Sequence, residues 1–198
     1  MKPALTAVLA CHPETPSPAV YGIEAHVCWA QGATIAFTYV LNGDFARLRI
    51  PLAGSHRQSD GLWRHTCFEA FVGVKGESAY LEFNFSPSRE WAVYSFRGYR
   101  DGGPASGKEA DPKITVRSES DRIELDALVK IDHLRAVQSR ERLRLALCAV
   151  IEDNTRMLSY WALKHPPGKP DFHHPDAFAG EIEYPGIAAR SESRREKL

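Results

Sequence analysis

Residues 61–96 constrain the fold of this chain most strongly, because they predict three consecutive antiparallel strands joined by two tight turns. The segments 66–74, 79–86 and 91–96 are rich in aromatic and β-branched residues, and turn-forming residues separate them. Successive side chains of a strand point to opposite faces of the sheet. One face of this predicted meander is therefore apolar throughout, whereas the other carries carboxylate and amide side chains.

The first turn predicts which polar side chains lie opposite each other. If Val74 pairs with Ala79 across the turn, Glu69 lies opposite Asn84 on the next strand, and Glu82 lies two residues away on the same face. Cross-strand neighbours on one face of a sheet are close enough to interact. The sequence therefore predicts a cluster of two carboxylates and one amide.

The second turn decides on which face Trp91 lies. A turn made of the four residues 87–90 pairs Ser86 with Trp91. This register places the Trp91 indole on the polar face, together with Glu69, Glu82 and Asn84. Such groups are costly to bury without partners but are useful for binding a polar ligand. The alternative is that this face is the solvated side of a two-layer protein, which is common in antiparallel sheets.

Short strand patterns continue along the rest of the chain, and we predict an all-β fold. They lie at residues 5–11, 23–30, 33–41, 46–52, 114–117, 123–128, 143–151 and 157–163. About ten short strands with regular spacing indicate an antiparallel two-sheet β-sandwich, Ig-like or jelly-roll-like. The segment 132–142 is the one short helix predicted, the Asn42-Gly43 pair predicts a turn, and the glycine-rich segment 98–113 is a candidate mobile loop.

Length and charge limit the classes of function. The 198 residues suit a single domain, predicted at 1–186, followed by a charged and disordered tail at 187–198. Twenty-five basic residues balance twenty-five acidic ones, which argues against nucleic acid as a partner. No apolar run approaches the about 20 residues of a membrane helix. We therefore predict a cytoplasmic protein whose partner is a small molecule rather than nucleic acid or membrane.

Four cysteines are scattered through apolar strand patterns without any C-x-x-C pair, at Cys11, Cys28, Cys67 and Cys148. This spacing is typical of reduced, buried cysteines that serve as small hydrophobic residues. It gives no support to a zinc ribbon or to thioredoxin-type chemistry.

Histidines offer two kinds of candidate site. His165, His173 and His174 lie near aspartates in a proline-rich segment and are weak candidates for metal ligands. Their spacing matches no known metal motif, so we favour adventitious binding or none. His65 follows Trp63 and Arg64 at the entrance to a strand and is a better candidate for contact with a ligand, the alternative being a surface histidine.

Catalytic motifs are poorly represented. The chain has neither a G-x-S-x-G nucleophile elbow nor a phosphate-binding loop between a strand and a helix. Glu69 and Glu82 are predicted within roughly the 5–10 Å that separates the paired carboxylates of glycosidases. Many sheet proteins bring two glutamates this close without catalysis, so we predict that the protein is not an enzyme.

The segments LWRHTCFEAFV and YLEFNFSPSREWAVYSF resemble the core signatures of the DOMON-like β-sandwich proteins. The superfamily of those proteins includes the family 9 carbohydrate-binding modules and haem-binding cytochrome domains. The resemblance extends to CHPETP and SYWALKHPPGKPDFHHPDAF and is greatest for small stand-alone bacterial DOMON-like proteins. Matching positions are Trp63, Cys67, Glu69, Phe71, Tyr80, Glu82, Asn84, Ser86, Pro87 and Trp91. The resemblance implies a β-sandwich that binds a ligand.

These observations together predict a non-catalytic module that binds a carbohydrate or a similar polyhydroxylated molecule without a cofactor. Aromatic rings stack on the apolar faces of sugars, and planar polar groups bind their hydroxyls. In this hypothesis Arg64 binds an anionic substituent such as a sugar carboxylate. The predicted ligand-binding residues are Trp63, Arg64, His65, Glu69, Glu82, Asn84 and Trp91.

Two other functions stay open. The resemblance and the eight histidines allow haem or metal binding for redox chemistry or sensing. Haem-binding relatives hold iron with a methionine and a histidine, and Met157 is the one methionine here besides Met1. The third hypothesis is a structural or interaction domain without a small ligand. It gains support if Glu69 and Glu82 pair with local arginines such as Arg64 or Arg89.

Overall fold

Two β-sheets packed face to face make up the part of the chain that the computed structural model describes, residues 3–105, 111–131 and 142–184. The predicted all-β sandwich is therefore confirmed. Within these ranges the helical elements are two 3₁₀ turns, Leu62–Arg64 and Pro175–Ala177, and no helix there is long and apolar enough to cross a membrane. The predicted helix at 132–142, except for its last residue, and the predicted tail at 187–198 lie outside the described residues.

The described ranges contain fourteen strands, several of them only two to four residues long. In chain order they are β1 Leu5–Val8, β2 Ala10–Cys11, β3 Val20–Ala30, β4 Thr34–Gly43, β5 Arg57–Gln58, β6 Cys67–Val74, β7 Tyr80–Phe85, β8 Glu90–Gly98, β9 Asp101–Pro104, β10 Lys113–Ser118, β11 Arg122–Lys130, β12 Leu143–Glu152, β13 Leu158–Ala162 and β14 Gly180–Ile182.

The first sheet, sheet A, has the spatial order β1-β3-β4-β11-β10, and the second, sheet B, has the order β2-β13-β12-β6-β7-β8-β5. In sheet B, β14 also pairs with β12, and β9 pairs with β8. All pairs are antiparallel except β5 with β8. The predicted first strand, 5–11, is divided between the two sheets at Leu9. The central meander β6-β7-β8 lies in sheet B, flanked by long strands.

The main core lies between the sheets and is built from side chains of both inner faces. Its fully buried aromatic residues are Phe37, Tyr39, Phe68, Phe83 and Phe85. Each such side chain contributes about 1.5–3 kcal/mol by leaving water. The hydroxyl of Tyr39 donates a hydrogen bond to the backbone oxygen of Glu69, 2.7 Å away, which satisfies its one polar group.

Two local predictions are wrong. The segment 46–52 forms no strand, and its pairing is limited to a single bridge between Leu48 and Asp153. The Asn42-Gly43 pair is not a turn, because β4 continues to Gly43. At Gly43 a Cβ atom would lie 2.6 Å from the backbone oxygen of Ala19, so glycine is required there for close approach rather than for turning.

The predicted register is confirmed for the first turn and wrong for the second. Glu69 pairs with Asn84 as predicted. Across the second turn Phe85, not Ser86, pairs with Trp91. The loop is one residue shorter than predicted, because Arg89 has a φ of 72° and closes a three-residue hairpin loop. A one-residue shift in register moves a side chain to the other face of the sheet.

Candidate functional site

The outer face of sheet B, which points away from sheet A, is covered rather than solvated. Residues 164–179, called the strap here, pass over this face, and Phe172 and Ala177 of the strap join its second hydrophobic cluster. Glu69, Glu82 and Asn84 are consequently only 3%, 5% and 0% exposed. The alternative of a solvated polar face is therefore wrong.

Aromatic packing attaches the strap to the sheet. The ring of His173 lies 5.1 Å from that of Phe71 and 5.0 Å from that of Phe96, both edge-on. Phe178 packs against Tyr80 with ring centroids 5.3 Å apart. The hydroxyl of Tyr80 lies 2.9 Å from Nδ1 of His173, which adds a polar contact between strand β7 and the strap.

Asp171 ties the strap to the turn between β8 and β9. Its carboxylate accepts a hydrogen bond from the Tyr99 hydroxyl at 2.7 Å and another from Nη2 of Arg100 at 2.8 Å. Charge-assisted hydrogen bonds of this kind are stronger than neutral ones. The turn and the strap therefore form one connected wall.

A cavity of about 550 Å³ lies between the strap and the outer face of sheet B. This volume is within the range of about 300–1,000 Å³ that is usual for small-molecule sites. Its lining combines five aromatic rings with carboxylates and cations. The lining residues are Thr15, Trp63, Glu69, Glu82, Tyr94, Phe96, Arg100, Val150, Tyr160, Lys169, Pro170, Phe172 and His173.

The polar cluster at the floor of this cavity is incompletely hydrogen-bonded. Nδ2 of Asn84 donates to Oε1 of Glu82 at 2.9 Å. Oδ1 of Asn84 and Oε1 of Glu69 are buried and have no hydrogen-bond partner among the described residues. A buried polar atom without a partner costs about 1–3 kcal/mol. Glu69 lines the cavity whereas Asn84 lies outside its lining, so the floor offers one unpartnered oxygen to a polar ligand.

Burial changes the protonation of this floor. The pKa of Glu69 is raised well above its usual value by burial and by the nearby charge of Glu82. Burial also raises the pKa of Glu82, to about 7, against the opposing effects of the Asn84 hydrogen bond and the Arg100 charge. The pKa of His173 is lowered to about 4 by burial and by Arg100. At neutral pH this imidazole is uncharged.

Glu69 and Glu82 do not pair with Arg64 or Arg89. Such pairing would favour a purely structural role for this face of the sheet. The guanidinium of Arg64 lies 5.1 Å from the centre of the Trp63 ring, a cation–π contact. Arg89 instead donates to the backbone oxygen of Gly54. Arg64 and Arg89 therefore give no support to the hypothesis of a structural or interaction domain without a small ligand.

The 3₁₀ turn at Leu62–Arg64 places Trp63 in the cavity wall. Gly61 precedes it with a φ of 73°, a conformation that favours glycine. Asp60 accepts hydrogen bonds from the backbone N–H of Gly61, at 2.8 Å, and from the Tyr94 hydroxyl. Because Tyr94 itself lines the cavity, this contact links the entry turn to strand β8.

His65 makes a structural contact within the protein. Its Nδ1 lies 2.8 Å from Oε2 of Glu152, a buried carboxylate at the end of β12. Glu152 also lies 3.3 Å from Nε of Arg49. Neither His65 nor Arg64 belongs to the cavity lining.

Replacement of Glu152 with alanine is expected to lower the free energy of unfolding by about 1–3 kcal/mol, because Arg49 and His65 lose their shared acceptor. Urea denaturation measures this change. Glu77→Ala, at the exposed turn between β6 and β7, is the matched control. Equal denaturation midpoints for the two variants would contradict a structural role of the Glu152 cluster.

Trp91 does not lie on the outer face. Its side chain is 5% exposed and packs in the main core between the sheets, as the register of β7 and β8 requires. The prediction that Trp91 shares a face with Glu82 is therefore wrong, and Tyr94 occupies the position opposite Glu82.

The three weak metal candidates are separated by the structure. His173 lines the cavity, whereas Nε2 of His165 contacts the backbone oxygen of Ala10 at 2.8 Å. Nδ1 of His174 accepts from the backbone N–H of Asp176 at 3.2 Å. In the described part of the chain no three His, Cys, Asp or Glu residues are grouped as metal ligands. Met157 is 68% exposed and does not line the cavity.

Nine residues of the cavity lining are not among the site residues predicted from the sequence. Tyr94 and Phe96 would follow from the correct register of β8, since they alternate with the core residues of that strand. The aromatic Phe172 within a proline-rich segment was the available signal for the strap. The others, Thr15, Arg100, Val150, Tyr160, Lys169 and Pro170, are brought together only by long-range packing.

The four cysteines are free, as predicted, with Cys67 and Cys148 buried and Cys11 and Cys28 partly buried. Burial raises the pKa of the Cys67 and Cys148 thiols well above the usual value. Both lie on the outer face of sheet B and pack there as small apolar groups.

Comparison with known proteins identifies the fold. No family model and no curated protein matches the sequence. A candidate carbohydrate-binding protein from Bacteroides uniformis superposes with a TM-score of 0.64 at 15% identity, over 90% of this chain and 85% of that one.

Two structures of a family 9 carbohydrate-binding module from Caldicellulosiruptor kristjanssonii also match. The glucose complex has a TM-score of 0.53 at 9% identity, over 82% of this chain and 75% of that one. The cellotriose complex has a TM-score of 0.53 at 8% identity, over 92% and 81%. The chain therefore shares the β-sandwich fold of these carbohydrate-binding proteins.

Proposed function

We propose that this protein is a non-catalytic module that binds a carbohydrate or a similar polyhydroxylated small molecule in the cavity beneath the strap. The observation that carries the proposal is the buried, unpartnered Oε1 of Glu69, which belongs to the cavity lining together with Glu82. Asn84 lies opposite Glu69 in the sheet and orients Glu82 by a hydrogen bond from its Nδ2. A sugar hydroxyl can donate to one such oxygen and accept from a neighbouring donor.

Aromatic rings around this polar floor support the proposal. Trp63, Tyr94, Phe96, Tyr160 and Phe172 all line the cavity. The apolar C–H faces of a sugar ring pack on such rings while its hydroxyls reach the floor. This combination of apolar walls with a few polar groups is typical of sites for small molecules.

The comparison of folds supports the proposal that the protein binds a carbohydrate. A family 9 carbohydrate-binding module of the same fold has been solved with glucose and with cellotriose bound. Kinship with the DOMON-like proteins is part of this proposal, because the residues that carry the resemblance include Glu69 and Glu82, which line the cavity. Fold alone does not assign a ligand, so the proposal rests on the cavity.

Trp63→Ala is expected to weaken sugar binding about threefold to tenfold, the value of one aromatic contact. Glu82→Ala is expected to weaken it at least tenfold, since it removes an acceptor and frees the Asn84 amide. Calorimetric titration with glucose, cellotriose and a panel of other neutral and acidic sugars measures both effects.

Tyr21→Ala and Glu77→Gln are the matched controls, because both side chains are exposed and outside the cavity. We expect these two variants to bind like the wild type. If the wild-type protein binds none of the sugars in the panel, the proposed function is refuted.

A further inference from the structure

Two cations, Arg100 and Lys169, line the cavity and come from different segments. Arg100 belongs to the turn between β8 and β9, and Lys169 belongs to the strap. Both residues are exposed, so they lie at the solvent-facing rim, whereas Glu69 and Glu82 are buried at the floor. The rim and the floor therefore differ in chemistry.

Arg100 is held in a fixed position. Its φ of 53° is uncommon for a residue other than glycine and persists where the surroundings hold it. Its backbone N–H donates to the Tyr80 hydroxyl at 3.3 Å, its Nη2 donates to Asp171 at 2.8 Å, and its guanidinium lies 5.7 Å from the Tyr99 ring centre.

Most of the hydrogen-bonding capacity of Arg100 stays unused. A guanidinium has five N–H donors in a planar fork. Within the described ranges its side-chain hydrogen bonds use one nitrogen, Nη2. The remaining donors are therefore available to a ligand in a guanidinium that is already oriented, which lowers the entropic cost of binding.

Lys169 adds a second positive charge without a partner among the described residues, where no carboxylate forms an ion pair with its ammonium. The floor does little to neutralise the rim. Burial keeps the pKa of Glu69 well above its usual value and that of Glu82 at about 7. Both shifts favour the protonated acids, and although Asp171 pairs with Arg100, Lys169 leaves the rim positively charged.

We infer that the ligand is an anionic sugar whose carboxylate binds at the rim between Arg100 and Lys169 while its hydroxyls bind at the floor. The planar fork of arginine matches the geometry of a carboxylate. The inference rests on the proposed function and names its class of ligand. It transfers to Arg100 and Lys169 the role that the sequence predicted for Arg64, which lies outside the cavity.

The test compares D-glucuronate, D-glucose and glucose 6-phosphate by calorimetric titration of the whole protein at pH 6.5. We expect glucuronate to bind about tenfold more tightly than glucose, the effect of one charge-assisted contact. This advantage should shrink as NaCl is added, because salt screens exposed charges. Tighter binding of glucose 6-phosphate than of glucuronate would overturn the assignment to a carboxylate.

Arg100→Gln and Lys169→Gln should each reduce the ratio of glucuronate affinity to glucose affinity by about threefold or more. Arg97→Gln is the matched control, because Arg97 is 85% exposed on β8, next to the turn that holds Arg100, and pairs with Asp101 outside the cavity lining. Lys169→Gln keeps the test valid if Arg100→Gln disturbs the turn.

The outcomes separate this inference from the proposed function. Equal affinity for glucose and glucuronate, or a preference that both glutamine variants retain, overturns the inference and leaves the proposed function intact. If neither neutral nor acidic sugars bind, the proposed function is refuted and the inference with it.

Discussion

Replacement of Trp91 with alanine is expected to lower the free energy of unfolding by about 3–5 kcal/mol, the usual cost of removing a large aromatic residue from a core. Trp91 is 5% exposed and packs between the sheets opposite Phe85. The variant should retain sugar affinity per folded molecule, because this side chain does not line the cavity. Urea denaturation and calorimetric titration measure the two quantities separately.

Trp91→Phe separates packing from binding if the alanine variant fails to fold. Nε1 of Trp91 is buried without a partner among the described residues, so phenylalanine keeps a ring in the core and removes an unsatisfied donor. We expect near wild-type stability and affinity. A loss of sugar affinity in Trp91→Phe without a loss of stability would show that Trp91 contacts the ligand after all.

Glu82→Gln is expected to gain stability relative to the wild type as the pH rises, by on the order of 2 kcal/mol between pH 5 and pH 8.5. The pKa of Glu82 is about 7 in the folded protein and 4.5 as the reference value. The folded state therefore holds a proton that the unfolded chain releases. This contribution to stability is complete below pH 4.5 and is lost as the pH rises through 7.

The titration of His173 changes the free energy of unfolding with pH in the opposite direction to that of Glu82. The Glu82→Gln variant is therefore compared with the wild type at each pH. The pKa of His173 is lowered from 6.5 to about 4, so its contribution is lost as the pH falls from 6.5 to 4. This effect largely cancels in the comparison of Glu82→Gln with wild type. Glu77→Gln, at an exposed turn, controls for the loss of one carboxylate. A stability difference that does not change with pH would refute the raised pKa of Glu82.

The two turns of the meander show what limits prediction from the sequence. Gly76 has a φ of 91° in the first turn. Because glycine is the residue type that favours this conformation, the register of β6 and β7 could be predicted from the sequence. In the second turn the left-handed residue is Arg89, for which no such signal exists. Contacts within the turn and with a distant loop hold it, including the hydrogen bond from Ser88 to Ser86 and that from Arg89 to Gly54.

The strap illustrates a second limit. Its sequence, rich in proline and histidine, predicts an irregular segment but not the surface on which it lies. That surface is set by contacts such as the one between Asp171 and Arg100, which are 71 residues apart. Of the predicted site, Trp63, Glu69 and Glu82 line the cavity, while Arg64, His65, Asn84 and Trp91 lie outside its lining.

The sequence by itself determined the fold class, the two faces of β6 and β7, and the pairing of Glu69 with Asn84. These follow from alternation along a strand and from a turn with a recognisable glycine, which are local properties. Only the tertiary structure decided that the polar face is covered, that Trp91 belongs to the core, and that Arg100 and Lys169 line one cavity together with two buried glutamates. Those outcomes depend on contacts between segments far apart in the chain, and no local pattern encodes such contacts.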